Sequence, residues 1–163
     1  VTNTNTLYTK FHALEDSLNE TVYERRQEIH TAILAVLAKK HHFQLGAPGT
    51  AKSYLVTELF RRIGGTNEGD LFRYLLSKFT NPDELFGPPN LLLFKEKGIF
   101  VRNTEKRLPE ARFAFLDECF KGSSAILNTN LSIMNERWFD NGPNDPHVPL
   151  ISLFGASNEL PQG

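Results

Sequence analysis

The chain has 163 residues, 40% of them hydrophobic and 23% charged, with 18 Lys and Arg against 19 Asp and Glu for a formal charge of −1. That length suits one domain, which buries roughly two thirds of the surface its unfolded chain exposes and needs no covalent staple. The lone cysteine, Cys119, excludes a disulfide framework and a cysteine-rich zinc site, and the near-neutral charge lacks the electrostatic footprint of a nucleic-acid binder.

Val1 to Asn5 carries neither the basic nor the apolar region of a secretion signal. No apolar run approaches the roughly 18 residues of a membrane span. A soluble, cytoplasmic domain is expected, and the missing initiator Met suggests one that begins inside a longer protein. Residues 1–20 read as a Thr/Asn-rich and then charged lead-in. Leu18, Val22, Ile29, Ile33 and Leu37 recur at helical spacing, with Leu34 and Val36 widening the apolar face. Arg25 and Arg26 interrupt that stripe, which predicts a helix starting near Arg25 after a short loop. Phe43-Gln44-Leu45 is a short strand, weakened by its glutamine, that runs into Gly46-Ala47-Pro48-Gly49. Leu55, Val56, Leu59, Phe60 and Ile63 then form a helix face, stopped by Gly64-Gly65. Leu71 to Leu76 reads as a second strand. Asn81-Pro82-Asp83-Glu84 starts a helix, with Asn81 as N-cap, Pro82 in the first turn and Glu84 closing a capping box.

Gly87-Pro88-Pro89 breaks that helix, and residues 90–108 read as a hairpin: Leu91 to Phe94, a charged turn ending at Gly98, then Ile99 to Val101. Phe113 to Leu116 is a short apolar run of the kind found in buried strands. Leu127, Leu131 and Met134 mark a helix, a second hairpin follows with Asn141-Gly142 near its turn, and Leu150 to Phe154 is the last strand. Strands alternating with helices predict an α/β fold with a mainly parallel sheet between helical layers.

Three constellations carry chemistry. Gly46-Ala47-Pro48-Gly49-Thr50-Ala51-Lys52-Ser53 lies between a strand and an amphipathic helix. Backbone N–H groups at a helix start, a cation and a hydroxyl are what a phosphate chain with Mg2+ requires. Lys52 is the cation and Ser53 the hydroxyl; Ala51 stands where the strict pattern has glycine. Asp117 and Glu118 end a buried strand read as lying beside the phosphate-loop strand. The first can hold Mg2+, and the second can polarise an attacking water. Asn158 ends the last strand, where a polar side chain can help to position that water. Acidic pairs at strand ends are common, and a near-match to a phosphate loop can be an ordinary Gly/Pro turn. Their order and spacing together carry the weight.

With these motifs the chain resembles an AAA+ ATPase of the helix-2-insert group, and within it the MoxR family, closest to a RavA-like branch. The carrying segments are Tyr23-Glu24-Arg25, Gly46 to Ser53, Phe79 to Gly87 (FTNPDELFG), Leu108 to Ala111, Phe115 to Glu118, Ala125 to Thr129 (AILNT), Asn135-Glu136-Arg137 and Ala156 to Pro161 (ASNELP). Together they span Leu18 to Pro161. Ala51 is common in this family at that position. The resemblance implies a P-loop NTPase three-layer sandwich binding ATP and Mg2+. Gly46 to Ser53 with Tyr54 would form Walker A, Asp117 and Glu118 Walker B, Asn158 sensor 1, and Tyr23 would lie near adenine. Residues 88–108 would be the helix-2 insert and 138–150 the pre-sensor-1 hairpin. A fifth strand, the arginine finger, sensor 2 and the helical lid would follow residue 163, so this fragment is expected to bind nucleotide weakly and turn it over slowly. Ring assembly as a hexamer, a protein client and a von Willebrand factor A (vWA) domain partner are implied for the whole protein.

Several residues admit plainer roles. His41-His42 lacks a third metal ligand, and Cys119 lacks a base and reads as a small buried residue. Asn130 occupies a position where an apolar residue is expected. Trp138 and Phe139 fit either a partner contact or packing at a hairpin base. Lys95, Lys97, Arg102, Lys106 and Arg107 fit a solvated face, or a surface for an acidic partner or nucleic acid. Arg137 reads as a packing or subunit-contact residue rather than the finger. Besides a remodelling ATPase, the open alternatives are a nucleotide-responsive or inactive interaction module, and a helix-2-insert ATPase acting on DNA or in metal chelation.

Overall fold

The computed structural model describes residues 2–63 and 70–159, with side chains from residue 6 onward; Gly64-Gly65 and Pro161 lie outside them. Two helices, α1 (Thr2–Thr21) and α2 (Arg26–Leu37), precede β1 (His42–Leu45) and α3 (Lys52–Arg62). Then come β2 (Leu71–Leu75), α4 (Pro82–Phe86), α5 (Leu91–Lys97), β3 (Phe113–Asp117), α6 (Ser124–Glu136) and β4 (Ser152–Ser157). The four strands form one parallel sheet in the order β1-β4-β3-β2. This is the α/β P-loop NTPase architecture expected. One neighbour relation is corrected: β3 is not beside β1, because β4 lies between them.

Alternation along the central strands sorts side chains to two faces. Phe113 and Phe115 of β3, with Phe154 and Ala156 of β4, pack under α1, α2 and α3. Phe60 of α3 anchors that layer, its ring 4.8 Å from Phe113 and 5.0 Å from Phe154. Ala114, Leu116 and Leu153 point the other way, into a cluster with Leu85, Phe86, Ile126 and Ile133. The sheet is therefore covered on both sides, as a parallel sheet requires.

Local readings hold in part. The helix after the charged break begins at Arg26, where Arg25 pairs with Glu28 at 3.0 Å. Its buried face is Ile29, Ala32 and Ile33, with Val36 packed partly buried against the same cluster; Leu34 does not widen it, and Leu37 of the stripe is also exposed. The capping box at Asn81 and Glu84 forms as read, with Pro82 opening α4. The stretch 1–20 is not a lead-in: most of it is α1, whose Leu18 is buried in the core with Val22 just past the helix end. Arg62 ties α1 to α3 by donating to Thr21 Oγ1 at 2.7 Å and Ser17 Oγ at 3.2 Å. On α6 the buried face is Ile126, Asn130 and Ile133, one step from the Leu127–Leu131–Met134 stripe; Leu131 is exposed.

The segment 88–108 departs further. Its base pairs antiparallel through Pro89 and Arg102, with Asn90 N–H donating to Val101 O at 2.8 Å. The first arm is the helix α5, not a strand: Asn90 caps its start by accepting from Leu93 N–H at 3.1 Å, and Gly98 closes it in the left-handed conformation. Gly87 (φ +94) is held so close to the Asn103 carbonyl that a Cβ there would collide with it. Arg102 pairs with Asp83 and donates to Gly87 O at 2.7 Å, and Arg107 donates to Glu84 O at 3.0 Å. Both are thus fastened to α4, while Lys95 and Lys97 stay exposed on α5. The segment 138–150 forms a single antiparallel bridge, Trp138 to His147, with Phe139 buried and stacked 5.6 Å from Phe86. Among the described residues no helix is long and apolar enough to cross a membrane.

Candidate functional site

Three strand ends deliver the candidate residues to one edge of the sheet. Gly46 extends the β1–β4 ladder by one step, its N–H donating to Ser157 O at 3.1 Å, so the loop 46–51 leaves the sheet next to Asn158. Gly49 (φ +79) and Ala51 (φ +59) are both left-handed, which curls the loop back onto the start of α3. No side chain caps α3. Its first backbone N–H groups and the positive end of its dipole therefore face the loop's interior. Thr50 Oγ1 donates to Ala47 O at 2.9 Å and stiffens the turn.

Lys52 folds back across this loop, its ammonium donating to Gly46 O at 2.7 Å, Ala47 O at 3.0 Å and Asn158 Oδ1 at 2.9 Å. Ser53 Oγ donates to Asp117 Oδ2 at 2.9 Å, and the other oxygen of that carboxylate accepts from Glu118 N–H at 3.0 Å. Glu118, only 9% exposed, has a left-handed backbone that turns the chain out of β3 into a 3₁₀ turn over Cys119–Lys121. Its Oε1 accepts from Asn158 Nδ2, while Oε2 is buried without a hydrogen bond, 3.4 Å from the Lys121 ammonium. The Asn158 amide is oriented by its neighbours' chemistry: an ammonium only donates and a carboxylate only accepts, so oxygen faces Lys52 and nitrogen faces Glu118.

Pro48, Gly49, Thr50, Ala51, Lys52, Ser53, Tyr54, Asp117, Glu118 and Asn158 line one cleft of ≈ 390 Å3. Two grooves of ≈ 440 and ≈ 510 Å3 lie elsewhere, but neither joins a Lys or Arg and a hydroxyl to two carboxylates. Tyr23 is not brought to the cleft: it is 80% exposed and lines neither of the two recesses bordering the loop. Lys121 was missed by sequence reasoning, although its place three residues after Glu118 on a tight turn was the available signal.

The other singled-out residues are structural here. The Cys119 thiol is pushed up to about 11 by burial, helped by the Glu118 and Asp117 charges and opposed by backbone hydrogen bonds at Cys119 and Phe120. His41 Nδ1 accepts Leu153 N–H at 3.0 Å, so Nε2 carries the proton and donates to Met134 O at 2.9 Å. Burial first, then the Arg137 and Lys40 charges, hold His41 below its usual range despite the Met134 bond. Arg137 reaches the carbonyls of Lys39 at 3.3 Å, Ile133 at 3.4 Å and Ile151 at 3.5 Å, tying the segments that lead into β1 and β4 to α6. Among the described residues no group of three or more His, Cys, Asp or Glu is placed to hold a metal ion.

Residues 9–163 match bpMoxR, described as the MoxR domain in the MoxR-vWA-beta-propeller ternary systems. Two uncharacterised proteins of Methanocaldococcus jannaschii are each 48% identical, over 94% and 91% of this chain. A structural protein of Acidianus two-tailed virus is 28% identical over 94% of it. The chain spans 39% of each archaeal relative and 25% of the viral one. A crystal structure of a candidate ATPase from Cytophaga hutchinsonii, 20% identical, superposes with a TM-score of 0.65 over 96% of this chain and 46% of its own, a likeness of fold. By sequence and by architecture, the chain belongs to the MoxR family of AAA+ ATPases.

Proposed function

We propose that residues 1–163 are the partial nucleotide-binding core of a protein that binds ATP with Mg2+ and hydrolyses it to remodel or assemble a protein complex. One observation carries this reading: two side-chain sets, Lys52–Asn158–Glu118 and Ser53–Asp117, are joined through the Glu118 N–H around a single cleft. The loop N–H groups and α3 dipole bind the phosphate chain, and Lys52 exchanges its carbonyl partners for β- and γ-phosphate oxygens. Ser53 Oγ and Asp117 Oδ2 are two hard oxygens side by side, without a cage of further protein ligands among the described residues. That set fits Mg2+, which takes most of its ligands from water and phosphates. When bound, the ion neutralises charge on the phosphates. Glu118 Oε2 accepts a proton from the water that attacks the γ-phosphorus as the bond to the β-phosphate oxygen breaks, and Asn158 orients the carboxylate and that water.

In the whole protein this core assembles into a ring, read as a hexamer, with the arginine finger, sensor 2 and lid supplied from outside these residues. The bpMoxR description names vWA and β-propeller components, which supports a vWA partner and a protein client. Glu118→Gln in the full-length protein tests the reading. It should leave ATP affinity within about twofold and lower turnover by a factor on the order of 10² or more. Turnover at the parental rate would remove Glu118 from the role of base.

A further inference from the structure

With Tyr23 turned to solvent, another group must meet the base of a nucleotide whose phosphates lie on Gly46–Ser53. Behind the loop is a recess of ≈ 90 Å3 lined by Arg25, Glu28, Gln44, Thr50, Lys52 and Leu55, among others. It shares Thr50 and Lys52 with the cleft, so a ligand anchored through its phosphates has this recess beside it. Its volume is well below the roughly 300–1,000 Å3 of a pocket that swallows a ligand. It is large enough to admit the edge of a base, with the rest lying over the mouth. The Arg25–Glu28 ion pair, 3.0 Å, forms part of the rim.

Gln44 is the feature that gives this recess a preference. A glutamine inside a four-residue strand is a poor choice for pairing alone, and its neighbours Phe43 and Leu45 are exposed. Gln44 Nε2 lies 3.2 Å from His42 Nε2, whereas Oε1 is buried and has no hydrogen-bond partner. The amide sits with its nitrogen toward His42 Nε2, and burial, which holds His42 below its usual range, favours a ring nitrogen that accepts there. A buried acceptor left unpaired costs free energy that a ligand donor recovers. Glutamine amides read adenine edges in this way elsewhere, the oxygen accepting from the 6-amino group.

We propose that Gln44 selects the base of the nucleotide, its Oε1 accepting a hydrogen from the 6-amino group of adenine and disfavouring 6-oxo purines, which present an acceptor at the same place. This rests on the nucleotide reading above. The test is competitive binding to the full-length protein by ATP, GTP, purine riboside triphosphate (ATP without its 6-amino group) and inorganic triphosphate. ATP should bind about tenfold or more tighter than both GTP and the deaminated analogue. Gln44→Leu should shrink that preference to within about twofold while leaving inorganic triphosphate affinity unchanged. Equal binding of ATP and the deaminated analogue by the parental protein would overturn the inference without any variant. So would a Gln44→Leu protein that binds inorganic triphosphate normally and keeps the parental preference. Failure of inorganic triphosphate and ATP alike to bind in a Lys52-dependent manner would overturn the nucleotide reading, and this inference with it.

Discussion

Ala51 shows how a single backbone angle reconciles a departure from a motif with its function. The phosphate-loop pattern has glycine there because the chain is left-handed, and Ala51 adopts φ +59 nonetheless. A Cβ in that region costs an alanine about 1 kcal/mol, partly offset because alanine loses less entropy on folding than glycine does. Ala51→Gly should therefore raise unfolding stability by about 0–1 kcal/mol, and Ala51→Val, whose branched side chain tolerates the angle poorly, should lower it by about 1 kcal/mol or more. Urea midpoints of the two variants check this; a valine variant as stable as the parent would mean that the loop relaxes out of the left-handed conformation. The same residue scale is where the candidate site was most legible. Lys52, Ser53, Asp117, Glu118 and Asn158 each sit at the end of a patterned element, so their positions follow from local sequence. Tyr23 was not legible in this sense, because nothing in its neighbourhood encodes which way the α1–α2 turn points it.

The apolar periodicity of α3 and the capping box of α4 formed as their sequence implies. Elements that departed from their sequence pattern did so for identifiable reasons. Leu91 to Phe94 is a four-residue apolar run, which periodicity alone cannot divide between strand and helix; the deciding signals were the Asn90 cap and Gly98. The face of α6 was misjudged because polar Asn130 turns inward, its Oδ1 without a hydrogen bond, while Leu131 faces out. For α1 the Thr/Asn-rich start obscured a helix whose core-facing residues, Phe11, Leu14 and Leu18, recur at helical spacing. That helix has a measurable weight. Leu18 is 0% exposed beneath α2 and α3, so Leu18→Ala should cost about 2–5 kcal/mol, against a total stability of about 5–15 kcal/mol for a domain. Leu7, 53% exposed on the same helix, should change stability by no more than about 0.5 kcal/mol when replaced by alanine. Chemical denaturation separates the two, and equal, negligible effects would make α1 an accessory rather than part of the core.

At the scale of the molecule, the sheet order brings residues far apart in sequence to one edge: β4 lies between β1 and β3, so Asn158 bridges Lys52 and Glu118. That insertion was not legible, because local pattern identifies strands but not which strand each one pairs with. The start of β1 and the helix α4 also titrate differently, which gives stability a stepped pH dependence. At the end away from the cleft, His41 is held below 6.5 by burial and then by Arg137 and Lys40, and His42 by burial. Below pH 6.5 the unfolded chain takes up protons that the folded chain resists. Stability is therefore highest above 6.5, falls as pH drops through the folded values, and then levels. Glu84, bonded by Tyr74 and the Asn81 N–H, is held below 4.5, so its contribution is complete above 4.5 and is lost as pH falls through its folded value. Urea midpoints measured from about pH 8 to about pH 3.5 should show both declines. His41→Asn, which keeps an acceptor for the Leu153 N–H, should diminish the upper step and leave the lower one; Glu84→Gln should do the reverse. A profile that neither variant alters would mean that both groups titrate alike in the folded and unfolded chain, and that the pH response arises elsewhere in the protein.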